Sequence, residues 1–286
     1  MQRPPNRARL PRATDRYPLG TSGLSVSPLC LGMTSAETVS AAFAAGINFF
    51  FISNDLHWWL YMPLMAGIDN LLASGVSRDD IVVAGVSYLS EPLFQYLRFN
   101  ELLAAVPRLE RIDVLIAGAA DEGNFLSRYQ SLDRARSVKQ WGCSAIGASF
   151  HDRATAKLAV RSALIELAYI RYNPAHASCE QELFPHLAPD RACLTYNFKS
   201  TAAHVSEPAF RQLNLGAQYP LPTIVDGYRF ALSRPELDGL LVSPQSPAEL
   251  TALLRALERG PLPASKIQYM KDLYLLASGQ ATLDSE

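Results

Sequence analysis

No apolar run in this 286-residue chain reaches the roughly 18 residues that a membrane-spanning helix needs, which excludes a helical integral membrane protein. Charge of one sign is not in excess either. The 26 basic and 27 acidic residues leave a net charge of -1, which points away from nucleic acid and from an anionic membrane surface as partners. Cysteine is scarce. Cys30, Cys143, Cys179 and Cys193 are too few for a disulfide framework and lack the CxxC spacing of a zinc knuckle. A reducing cytoplasm is the expected compartment. A GxGxxG turn between the first strand and the first helix is also missing, which counts against a dinucleotide-binding open sheet.

The chain has material for a large core, with 49% hydrophobic and 19% charged residues. Residues 1–16 stand apart: five arginines and three prolines surround the single acid Asp15, which predicts a disordered basic tail. No apolar stretch follows it, so no secretory signal is expected. From residue 17 onward short apolar runs alternate with helical spacing. The runs 29–33, 47–53, 81–87, 112–118, 143–149, 167–172, 192–196 and 237–243 read as strands. Segments 36–45, 64–73, 101–109, 124–135, 153–163, 179–187 and 247–257 read as helices, the last opened by Ser246–Pro247. Strands each followed by helical material predict a (β/α)8 TIM barrel over residues 17–286, with an open doubly wound sheet as the alternative.

The wording of the chain resembles the aldo-keto reductases. YPLGTSGLSVSPLCLGM (17–33) is similar to that family's opening hairpin and first strand, and AAGINFFFIS (44–53) to its second strand. IGASF (146–150) resembles its "IGxSNF" strand, RYNPAH (171–176) its "YNP" strand end, and SRPELDGLLVSPQSPAEL (233–250) its last strand and cofactor-phosphate loop. The resemblance implies a barrel with its active site at the carboxyl ends of the strands, and a carbonyl reduction with Tyr as proton donor tuned by Asp, Lys and His. It also implies a nicotinamide cofactor, NAD or NADP. Ser149 and Asn173 match positions that hold the carboxamide, Tyr196 matches the stacking aromatic, and Ser246 opens the phosphate-binding helix.

The departures from that pattern are larger than the matches. The Asp position is Phe51, the Tyr position falls on Leu56 or His57, the Lys position on Gly85 or Val86, and the His position on Gly118. The developing alkoxide of a carbonyl reduction must be protonated or stabilised, and Phe, Val and Gly do neither. Gln245 stands where a base would meet a 2′-phosphate.

New polar chemistry lies in S53-N-D-L-H-W-W-L-Y61. Asp55 could orient the His57 imidazole as a general base, with Trp58, Trp59 and Tyr61 as flat walls for a planar small-molecule substrate. The space left at Val86 and Gly118 would receive its ring. Tyr88 could supply a phenolic proton. Arg171, His176 and Lys199 follow strand ends and could hold a substrate carboxylate, although Arg171 could instead pair internally with Glu166 or Glu180. His57, His176 and Asp55 could in principle meet at a metal, but they are scattered and no metal site is expected. The readings are an enzyme with repurposed acid–base chemistry, an oxidoreductase with a replaced donor, and a ligand-binding pseudoenzyme.

Overall fold

A computed structural model describes residues 9–137 and 141–280. Eight parallel strands close a barrel. In chain order they are β3 (Leu29–Leu31), β4 (Phe49–Ser53), β5 (Val82–Ser87), β6 (Val114–Ala120), β7 (Ala145–Phe150), β8 (Leu167–Arg171), β9 (Leu194–Phe198) and β10 (Gly239–Val242), with β10 returning to β3. All eight fall within or beside the apolar runs. Buried on both sides by barrel interior and helices, they need no polar alternation. A hairpin of β1 (Tyr17–Pro18) and β2 (Ser25–Val26) precedes the barrel.

The helices are α1 (Ala36–Ala44), α2 (Trp58–Ala73), α3 (Pro92–Ala105), α4 (Phe125–Arg136), α5 (Arg153–Arg161), α6 (Cys179–Glu182), α7 (Glu207–Gln212), α8 (Ile224–Leu232), α9 (Pro247–Glu258) and α10 (Ala264–Ala277). Six depart from expectation, and of these α7 and α10 simply lie outside every segment read as helical. α2 starts at Trp58, so the expected mouth loop is half helix. Its buried Tyr61, Leu64, Met65, Ile68 and Leu71 form one stripe at helical spacing. α3 starts at Pro92, a residue suited to the first helical turn. The expected helix 179–187 breaks into α6 and a 3-10 turn at Phe184–His186 that carries Pro185. Helix α8 fills the connection between β9 and β10, for which the sequence suggested no helix; Thr223 and Asp226 form its capping box. No helix of the described residues is long and apolar enough to cross a membrane.

The basic start does not trail free over its whole length. Leu10 and Ala13 are buried in the core, and Asp15 accepts hydrogen bonds from the Arg9 guanidinium and the Arg12 amide. Residues 1–8 lie outside the described residues.

Strand register decides which side chains face the barrel axis. Pairing carries one face from Cys30 through Phe49, Val82, Val114, Ala145, Leu167 and Leu194 around the ring. Tyr169 pairs with Tyr196, and Tyr196 with Gly239. A Cβ on Gly239 would collide with the Tyr196 ring, so glycine leaves the room that ring fills. Phe49, Phe51, Tyr169 and Tyr196 meet edge to face at 5.1–5.9 Å. The middle of the barrel is a packed aromatic core. Chemistry is left to the rim: Ser53, Val86, Gly118, Ser149, Arg171 and Phe198.

Candidate functional site at the barrel mouth

The rim divides into two arcs of opposite character. The first runs over the exits of β4, β5 and β6. Here the Asp55 carboxylate accepts from Ser53 Oγ (2.9 Å), the Leu56 amide (2.6 Å), Ser87 Oγ (3.0 Å) and the Tyr88 amide (2.7 Å). It ties the end of β4 to the end of β5, and its acceptor capacity is taken up.

His57 is not among its partners. The residue sits at φ 59°, a left-handed conformation that turns the chain into α2, and makes no side-chain capping bond. Among the described residues its exposed ring meets the edge of Trp59, at 5.8 Å. The expected Asp55–His57 dyad is not formed. Trp58 and Trp59 are about half exposed (47% and 55%) on the first turn of α2 and meet each other edge to face at 6.3 Å. Tyr61 does the opposite of lining a binding surface. It is buried against Phe51 and plugs the barrel, and burial pushes its phenol up, helped by nearby Tyr88, Cys30 and Asp55.

The space expected over Gly118 is filled as well. A Cβ there would lie 2.6 Å from the Tyr88 ring, which occupies the hole. Burial and the negative charge of Asp55 push the Tyr88 phenol up to about 12. The shift makes it a weaker acid, the wrong direction for a proton donor.

Beneath this arc lies a side chain without any warning in the sequence. Arg128 of α4 is 1% exposed. Its guanidinium donates to Gly118 O (2.8 Å) and Ser87 O (2.7 Å), closing the carbonyl ends of β5 and β6. Burial pulls it down to about 10 against the opposing charges of Asp55 and Asp121.

The second arc covers the exits of β7, β8 and β9. Asn173 organises it. Its Nδ2 donates to Lys199 O (2.9 Å), which fixes the orientation of the amide. Oδ1 therefore faces Ala175 N (3.0 Å) and His176 Nδ1 (3.1 Å) as an acceptor. An acceptor at that point requires the proton on Nδ1, so a neutral His176 presents Nε2 as a free base. Burial and the charges of Arg171 and Arg153 hold its imidazole below the usual histidine range, with His151 and Lys199 contributing. His151 is lowered by partial burial, then by Arg171 and Lys199, and stands edge-on to Phe198 at 5.3 Å.

Arg171 does not make the internal ion pair considered from the sequence. Glu166 pairs with Arg136 at 3.2 Å and Glu180 with Lys271 at 2.6 Å. Among the described residues Arg171 joins no ion pair, and its Nε is buried without a hydrogen-bond partner. Lys199 is held at φ 57°, a conformation costing a non-glycine residue roughly 1–2 kcal/mol. Sequence reasoning placed His151 at a strand exit without giving it a role, and missed Arg153. The available signal was basic residues just past consecutive strand ends. Among the described residues no three His, Cys, Asp or Glu side chains could hold a metal ion, and Asp55, His57 and His176 are not brought together.

The residues expected to hold a nicotinamide do not fit it. Tyr196 lies two residues inside the end of β9, is wholly buried, and donates its hydroxyl to Ser27 O at 2.7 Å, so it offers no face for stacking. Asn173 already uses Oδ1 for two bonds and Nδ2 for one within the chain. Ser149 Oγ accepts from Ala119 N (2.8 Å), propping the bulge at the end of β6. Ser246 caps α9 through Glu249 N, while the Glu249 carboxylate accepts from Gln245 N (2.8 Å). The anion place at that helix end is taken by the chain's own carboxylate, which would repel a phosphate.

No family model and no curated protein matches the chain. Solved structures do match in fold. The holo form of aldo-keto reductase AKR11C1 from Bacillus halodurans superposes with a TM-score of 0.69 at 16% identity, covering 91% of this chain and 96% of that one. Its apo form gives 0.66 at 15% identity over the same shares. A Pseudomonas aeruginosa protein assigned to the aldo-keto reductases gives 0.64 at 17% identity, covering 88% of this chain and 98% of its own. The protein therefore has an aldo-keto-reductase-like (β/α)8 fold.

Proposed function

We propose that this barrel is an enzyme with a repurposed mouth that carries out acid–base chemistry on a small metabolite without a nicotinamide, with His176 as the general base. One observation carries the reading. The Asn173 amide, oriented by Lys199 O, accepts from His176 Nδ1 and leaves Nε2 as a base beside three cationic side chains. Burial, and then those charges, lower the imidazole, which favours the neutral state a base needs. The charges also stabilise an anion that forms when a proton is removed from carbon. Loss of the Tyr donor and its partners, and the misfit of the nicotinamide residues, separate this chemistry from carbonyl reduction. Isomerisation, elimination and cyclisation all begin with such a proton removal.

The test is proton exchange. Small carboxylic and phosphorylated metabolites are incubated with the protein in deuterated water, and solvent exchange at carbon is followed by NMR. Exchange is expected without NADH or NADPH, and His176→Gln should slow it by roughly 10²–10⁴-fold, the usual worth of one acid–base group. Aldehyde reduction that requires NADPH and survives His176→Gln would overturn the proposal.

A further inference from the structure

We infer that Arg171, Lys199 and Arg153 form a subsite for the anionic group of the substrate, a carboxylate or a phosphate, held beside His176. The inference rests on the acid–base reading above and names the substrate class of that same site. Three observations carry it. Arg171 ends β8 on the inward-facing register, paired with Phe198, so its stem leads into the mouth. A guanidinium has five N–H donors and no acceptor; several arginines here leave Nε buried and unpartnered, but among the described residues Arg171 also joins no ion pair and makes no side-chain hydrogen bond. A partly buried cation without a partner is costly unless a ligand supplies the counter-charge.

Lys199 is the second observation. The chain holds a lysine where a glycine would relieve the backbone, and Asn173 clamps its carbonyl in that conformation. His57 shares the left-handed backbone with no side-chain bond to its carbonyl among the described residues; at Lys199 the Asn173 bond to its carbonyl holds the strained conformation beside Arg171, as a positioned side chain requires. Third, among the described residues no carboxylate of this arc pairs with Arg171 or Lys199, and only Arg153 has one, so Arg171 and Lys199 carry the uncancelled charge. Asp152 caps α5 through Ala154 N and Thr155 N, and Glu182 lies 3.6 Å from Arg153 on the solvent side. Burial first, and then the charges of Arg171 and Lys199, lower both His151 and His176, which places those two cations close to the imidazoles. A bidentate guanidinium–anion pair with a lysine alongside would hold the anion's oxygens and place the adjoining carbon near His176.

The experiment is calorimetric titration of the whole chain with inorganic phosphate and, separately, with benzoate, at constant ionic strength in sodium chloride. At least one anion should bind saturably. Arg171→Met should weaken it by roughly 10- to 100-fold, the worth of a charge-assisted pair. Lys199→Gly relieves its own backbone and so folds at least as well as the parent; it should weaken the same anion several-fold. His57→Ala should bind like the parent. Phosphate alone binding assigns a phosphorylated substrate, and benzoate alone a carboxylate. No saturable heat from either anion, or unchanged affinity in both Arg171→Met and Lys199→Gly, overturns the inference. His176→Gln separates the two readings. Binding that persists while proton exchange is absent from every protein leaves the subsite standing and removes the base. His176-dependent exchange without anion binding does the reverse.

Discussion

The two arcs of the barrel mouth hold similar amounts of polar chemistry and put it to opposite ends. Over β4 to β6, Asp55, Ser53, Ser87 and Tyr88 satisfy one another, Arg128 donates from both terminal nitrogens to strand carbonyls and leaves only Nε unpartnered, and Tyr61 and Tyr88 fill what space remains. Over β7 to β9, Arg171 joins no described ion pair, the His176 base is free, and Lys199 is strained. Ionisable residues near a strand end are therefore weak evidence of function. What marks a candidate site is an ionisable group that the fold places but does not satisfy.

The comparison breaks most readily at Arg128. Arg128→Met keeps the apolar stem but leaves Gly118 O and Ser87 O without donors. A loss of about 3 kcal/mol is expected, since each unsatisfied buried carbonyl costs about 1–3 kcal/mol. Urea denaturation measures it, and a neutral result would mean that the first arc is not held together in this way. Asp55→Asn comes next. It turns one acceptor oxygen into a donor facing other donors, which should cost about 2 kcal/mol, the scale of a hydrogen bond to a charged group. Proton exchange at carbon should be unchanged in the folded fraction. A fall in turnover at constant melting temperature would restore Asp55 to catalysis.

A smaller effect sharpens the second arc. His151 and His176 have folded values below the unfolded 6.5, so the unfolded chain binds more protons in that range. The stability they contribute is present above pH 6.5 and is lost as pH falls through the folded values. The melting temperature should decline on going from pH 7 to below 6, before the carboxylates of Asp152, Glu180 and Asp226, all lowered, begin to titrate. His151→Gln and His176→Gln should each flatten that decline, and added phosphate should reverse it. A flat profile in the parent protein would show that neither burial nor the cations of this arc act on the imidazoles. The smallest change is at His57. His57→Gly removes a left-handed non-glycine residue and should raise stability by up to about 1 kcal/mol without loss of exchange, readable as a higher midpoint in urea.

These contrasts also show what a sequence can disclose. All eight strands stood out because each is an apolar run bounded by polar punctuation, and the order of motifs pointed to the fold that the structural matches share. The rim was harder, because a shift of two residues along a strand moves a side chain by one barrel layer. Ending β9 at Tyr196 instead of Phe198 put a core tyrosine at the mouth. In the segment 54–61 the buried stripe of α2 was hidden, since exposed Trp58, Trp59, Leu60 and Met62 surround the inward Tyr61. Arg128 gave no signal, being one of several charged residues on a helix of ordinary polar composition. Arg171, His176 and Lys199 were legible as basic residues past strand ends. That Asn173 fixes the tautomer of one and the backbone of another depends on contacts 26 residues apart and could not be read from spacing.

The tautomer of His176 tests the account most directly. Imidazole nitrogen shifts of His176, recorded by NMR between pH 5 and 8 with and without inorganic phosphate, report both the proton position and the titration midpoint. The account predicts a neutral ring protonated on Nδ1, a midpoint below 6.5 in the free protein, and an upward move when phosphate binds. A ring protonated on Nε2, with a midpoint at or above 6.5 that ignores phosphate, would contradict both the base and the cationic field assigned to this arc.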